Sequence, residues 1–152
     1  MKRMITLILV CVMSLSLCAC GGEPAPKVDL KQLYETCTGL MTEMMPVEGT
    51  TRLDFMGIPE EDCAQVYTAF AQDGMLTDEI WLIEAKDQQA LERLQKLAQS
   101  RMDAKAAETI SYSPEQYAVV EKGEILTEGL YLALLVSPNV EQLKQQFTAA
   151  FQ

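Results

Sequence analysis

The chain has 152 residues, with 12 Lys and Arg against 22 Asp and Glu and a formal charge of −10, which is sequence enough for one acidic domain. That charge repels nucleic acid and anionic headgroups, so neither is an expected partner of the folded part. Histidine is absent, which removes Ser–His–Asp and Cys–His catalysis, and none of the five cysteines forms a C-x-x-C pair, so no metal or cofactor is expected.

The chain opens on two cations, Lys2 and Arg3, followed by an apolar run over residues 4–17 that is too short for a bilayer span of about 20 residues. Leu17-Cys18-Ala19-Cys20 and two glycines close the run. A charged start, an apolar middle and a small residue before a cysteine describe an export signal. The four closing residues resemble the lipobox of bacterial lipoproteins, which implies cleavage between Ala19 and Cys20 and a diacylglycerol thioether on Cys20. Two acyl chains anchor a protein stably where one does not. The expected location is the outer face of the cell membrane. Removing 19 residues leaves 133, and the loss of Lys2 and Arg3 takes the charge from −10 to −12. Residues 20–27 read as a tether, with two glycines and two prolines opposing regular structure. Residues 28–152 form the single domain.

Asp29 starts a helix, with Gln32 placed for a capping box; Leu30, Leu33, Tyr34, Cys37, Leu40, Met41 and Met44 keep a helical period as far as Pro46. Residues 47–58 read as a loop with at most a short turn. Pro59 and the acids Glu60, Glu61 and Asp62 suit a first helical turn. Residues 63–71 fit either period; a strand is chosen, because Asp73-Gly74 is a turn signal and residues 79–85 (EIWLIEA) are a strand by composition. Asp87 caps a long helix with Ala90, Leu91, Leu94, Leu97, Ala98 and Met102 on its apolar stripe. Pro114 starts one further turn. A second hairpin follows, with strands at 124–127 and 130–136 (LYLALLV). The latter is apolar on both faces and is expected to be central. Ser137-Pro138-Asn139 initiates a last helix. The expected fold is α+β, α-ββ-α-ββ-α, with a four-stranded antiparallel sheet and helices mainly on one face.

Residues 79–87 (EIWLIEAKD) with the helix behind them, residues 129–138 (GLYLALLVSP), and the approach Gly57-Ile58-Pro59-Glu60 resemble the domain of unknown function 4358, found in small lipoproteins of Gram-positive, Clostridia-like bacteria. The resemblance implies a strand at residues 64–71 and no activity or site residue.

Other chemistry is thin. Cys37 and Cys63 lie on apolar faces and read as buried thiols rather than a disulfide. Glu60, Glu61, Asp62 and Asp54 offer carboxylates that helix-dipole placement already explains. Met41, Met44 and Met45 have a spacing soft metals use, but they suit a core face. The expectation is therefore binding without catalysis, with a protein or envelope component as partner. A small-molecule ligand is the alternative, and a carboxylate-dependent hydrolase is the weakest reading. Tyr67, Trp81 and Tyr131 fall on strands and are the candidate partner surface, provided a sheet face stays open. Cys20→Ser is expected to abolish signal processing and detergent-phase partitioning; continued lipid labelling of that variant would reject Cys20 as the anchor.

Overall fold

The computed structural model describes residues 27–152. The export signal, the Ala19–Cys20 cleavage site and the tether up to residue 26 lie outside the described residues.

In the middle of the domain are two strands with no polar face. β3 (Glu79–Ala85) and β5 (Tyr131–Val136) pair antiparallel, Glu79 opposite Val136 and Glu84 opposite Tyr131. Every side chain of β5 is buried, and in β3 only Glu84 is partly open. A strand apolar on both sides needs cover on both sides. Trp81, Ile83, Leu132, Leu134 and Val136 face one layer, while Ile80, Leu82, Tyr131, Ala133 and Leu135 face the other.

The chain supplies both covers. In order, the described elements are α1 (Leu30–Thr38), β1 (Met44–Pro46), α2 (Gly49–Met56), a 3-10 turn (Glu60–Asp62), β2 (Cys63–Ala71), β3, α3 (Gln88–Thr109), α4 (Pro114–Glu121), β4 (Glu124–Glu128), β5 and α5 (Val140–Ala149). The sheet order is β1-β2-β3-β5-β4, antiparallel throughout. Met56 of α2, Ala90, Leu91, Leu94 and Ala98 of α3, and Val120 of α4 pack on the Trp81 face. Leu30, Leu33 and Cys37 of α1 and Val140, Leu143 and Phe147 of α5 pack on the Tyr131 face. Each fully buried Leu or Ile in these layers contributes about 1.5–3 kcal/mol.

The α+β class and both hairpins are as expected, and the ambiguous residues 63–71 are a strand. Four details differ. Helices cover both faces, because β3 and β5 are apolar on both. The sheet has five strands, because the first helix stops at Thr38, where Gly39 donates to the Glu35 and Cys37 carbonyls. Met44–Pro46 then pairs with β2 opposite Ala69–Ala71. Pro46 is tolerated there because the bonded positions are its neighbours: Val47 N–H donates to Thr68 O (2.9 Å), and Gln72 N–H donates to Glu43 O (2.8 Å). The stretch read as a loop contains α2, entered at Gly49 (φ 56°) and ended by Gly57 in the left-handed region (φ 72°). Pro114 opens a two-turn helix, capped by the Ser113 hydroxyl, rather than a single turn.

One charged cluster fixes α3 and α4 to the start of β3. Glu79 is fully buried. It accepts from Trp81 Nε1 (2.8 Å) and Arg101 Nη2 (2.8 Å), and Lys105 Nζ lies 3.0 Å away. Lys105 also donates to Thr77 O, and the Gln116 side-chain oxygen accepts from both Thr77 N and Oγ1. Burial alone raises the Glu79 carboxyl, but the Arg101 hydrogen bonds and the charges of Lys105 and Arg101 outweigh it and hold the group below its ordinary value. A depressed carboxyl contributes stability above its unfolded pKa of about 4.3, and the contribution is lost as pH falls through the lower folded value. Glu79→Gln is expected to cost about 3 kcal/mol near pH 7, since it leaves two cations uncompensated. In urea unfolding the penalty should shrink toward pH 3. A penalty independent of pH would show that Glu79 is not held ionised.

Candidate functional site: a groove at the β2 edge

Neither sheet face is free, so the aromatic surface expected at Tyr67, Trp81 and Tyr131 does not form. Trp81 is fully buried under α3, with its indole N–H on Glu79. Tyr131 is 4% exposed on the opposite face, packs tilted against Phe151 at 5.2 Å, and its hydroxyl oxygen accepts from Val28 N–H. The physical reason is register: Trp81 is opposite Leu134 and Tyr131 is opposite Glu84, so the two rings point to different layers. Tyr67 alone keeps partial exposure.

The other sequence candidates separate as well. Cys37 lies in the Tyr131 layer and Cys63 in the Trp81 layer, so both are free thiols divided by the sheet. Burial raises each to about 11, which leaves neither a nucleophile at neutral pH. Asp62 is buried and taken by Arg93, whose Nε lies 2.9 Å from one carboxylate oxygen while Nη2 bonds the other; these bonds hold Asp62 below the usual carboxylate range. Glu60, Glu61 and Asp54 are exposed and share no cleft with it. Met44 packs toward the Tyr131 layer, and its strand neighbour Met45 is 42% exposed. Strand alternation thus turns Met45 away from Met44, while Met41 packs in the same layer as Met44.

What the fold does bring together lies where β1 leaves β2. β1 covers only Ala69–Ala71. Beyond Val47 the chain turns away into α2, and the edge of β2 from Thr68 back toward Val66 has no strand beside it. A groove of about 210 Å³ opens there, with β2 along its floor, Lys31, Tyr34 and Glu35 of α1 on one wall and Val47, Glu48 and Arg52 on the other. Val66, Phe70 and Gln72 share one parity on β2. Thr68 and Gln72 bond outward to Val47 and Glu43, so Val66 also presents its N–H and C=O outward, into the groove.

Arg52 is the unusual group. It is 7% exposed. Its Nε donates to Val47 O and Thr68 Oγ1, both at 3.3 Å, and Thr68 Oγ1 donates in turn to Val47 O (2.9 Å). Among the described residues no carboxylate lies within 4 Å of the guanidinium, and no acceptor meets either Nη. Arg101, by contrast, has Glu79, and Arg93 has Asp62. No fully buried side-chain nitrogen or oxygen among the described residues lacks a partner, so the two Nη groups open into the groove while the rest of the side chain is buried. On the Tyr131 side of the same groove, Tyr34 and Tyr67 pack at 5.6 Å. Burial, and then the charge of Glu48, raise the Tyr34 phenol and keep it a hydrogen-bond donor.

Two other hollows, between α1 and α5 and between α3, α4 and β4, open widely and have no comparably buried charge. No helix among the described residues is long and apolar enough to cross a membrane, and no cluster of His, Cys, Asp and Glu among them could hold a metal.

A family model described as domain of unknown function (DUF4358) matches residues 38–137. The chain belongs to that family. The DUF4358 span takes in the whole sheet, α2, α3 and α4, and with them Arg52, Val66 and Tyr67, while Lys31 and Tyr34 on α1 fall outside it. No curated protein and no solved structure matches the chain.

Arg52 was missed from sequence because it sits in a stretch read as a loop. The available signal was Gly57 as a helix stop, which puts Arg52 and Met56 one turn apart on a buried face. If Arg52 is kept for a ligand, removing its charge relieves the fold. Arg52→Met is expected to leave the melting temperature unchanged or to raise it by a few degrees. A loss of more than about 2 kcal/mol in urea unfolding would make Arg52 a structural residue.

Proposed function

We propose that this protein is a lipoprotein held through Cys20 at the outer face of the cell membrane, whose DUF4358 domain binds a ligand without transforming it. The observation that carries the reading is the buried, uncompensated guanidinium of Arg52 in an open groove. A planar guanidinium with both Nη groups free matches a carboxylate in a two-bond fork. Binding without catalysis is favoured by the groove's contents. Beside Arg52, two tyrosines and a strand edge it holds Lys31, which Glu35 pairs, and Glu48; neither thiol lines it, and burial keeps both Cys37 and Cys63 protonated. A small or extended ligand in this groove takes the place of a large partner lying on a sheet face.

Acetate is the simplest probe. Titrated into the protein at neutral pH and followed by heteronuclear NMR, it should shift the Arg52 Nε–Hε resonance and the amides of Val66 and Thr68, and shift neither in Arg52→Met. Shifts spread over exposed lysines, with Arg52 unmoved, would reject the groove.

A further inference from the structure

Three features beside one another narrow the ligand. The first is the free fork of Arg52, which takes one carboxylate. The second is the charge balance of the groove. Lys31 lies 3.9 Å from Glu35 along α1, and Glu48 stands on the wall that carries Arg52. Lys31 is taken up by Glu35, and Glu48 makes no ion pair with Arg52, so the groove has one unbridged guanidinium and no second free cation, a match for a single carboxylate rather than for a phosphate dianion. The third is the edge of β2. The outward N–H and C=O of Val66 sit one strand step beyond the last bond that Val47 makes to Thr68. A strand laid there continues the line that β1 abandons at Pro46.

We infer that the groove takes the C-terminal end of an extended peptide, with its α-carboxylate on the Arg52 guanidinium and its backbone paired to Val66 as a short added strand. The inference rests on the groove reading above and specifies its ligand. Main-chain pairing gives affinity with little demand on sequence, and the carboxylate sets the register; a groove of this size suits a chain that ends at Arg52 better than one that continues past it. A volume of about 210 Å³ holds the last residue or two, and the rest of the peptide lies outside the groove. The faces of Tyr34 and Tyr67 give the terminal side chain an apolar wall.

The test uses the full-length lipidated protein in detergent, with acetyl-trialanine as the probe and binding followed by calorimetry and by NMR. The free acid should bind. Its C-terminal amide should bind about tenfold or more weakly, as expected for loss of a charge-assisted hydrogen-bond pair. N-methylation of the amide that pairs with Val66 should weaken binding while leaving the carboxylate in place. Arg52→Gln should remove the difference between acid and amide, and Arg52→Lys should not restore it fully, since an ammonium lacks the fork. Amide and acid binding alike would overturn the inference, and so would free alanine binding as tightly as the peptide, because a single amino acid has no strand to pair. If acetate shifts Arg52 but no peptide binds, the peptide inference fails while the groove reading stands. If neither binds, both fail.

Discussion

Two strands without a polar face govern this domain. β3 and β5 bury side chains on both sides, and every other element is placed by the need to keep water from them. α1 and α5 close one layer, and α2, α3 and α4 close the other. Once both faces are covered, the sheet can meet a partner only along its edges. β4 is defended at its edge by Glu124 and Glu128, with Lys144 reaching over to Glu124. β1 is defended by being three residues long and ending in proline. The gap between those defences is the stretch of β2 beside Val66, and there the groove forms.

Glu79 and Arg52 show two ways of burying a charge in one small fold. Glu79 is met by Arg101, Lys105 and the Trp81 indole, so its cost is offset and it works as a fastener between α3 and the sheet. Arg52 is met by a carbonyl and a hydroxyl, which satisfy Nε and leave its charge unbalanced. Both stand on the Trp81 side of the sheet. The contrast separates a group that fastens the fold from the one on which the proposed ligand site rests.

Much of this architecture was legible in sequence where local signals agreed with tertiary ones. Asp29 and Asp87 cap helices as their positions suggest, and LYLALLV is a central strand as its unbroken hydrophobicity demands. That same run implied cover on both faces, a consequence in conflict with a one-sided arrangement and with an open aromatic patch. Two elements were hidden for a different reason. Met44 continues the helical period of α1, yet Gly39 ends the helix and the free edge of β2 recruits Met44–Pro46 as a strand. α2 has Gly49, Thr50 and Thr51 in its first turn, so propensity argues against it; burial of Met56 and the left-handed stop at Gly57 decide for it. The site depends on those two elements, which is why the fold could be read from the sequence and the groove could not.

The acidity of the chain then acquires a role in selection. With a formal charge of −10, the chain repels anions at long range, and Arg52 is too buried to project a field beyond the groove. At physiological ionic strength repulsion is damped beyond about 8 Å, so an anion must nearly touch the groove before the guanidinium attracts it. Association is therefore not steered, and selectivity rests on contacts made after arrival and on how slowly they break. A polyanion pays the repulsion over its whole length and recovers it at one point. A peptide end that is neutral or basic apart from its terminal carboxylate pays little and recovers the full fork at Arg52. The negative surface, which would count against an anion site taken alone, thereby restricts the groove to ligands whose single negative charge lies where the arginine is.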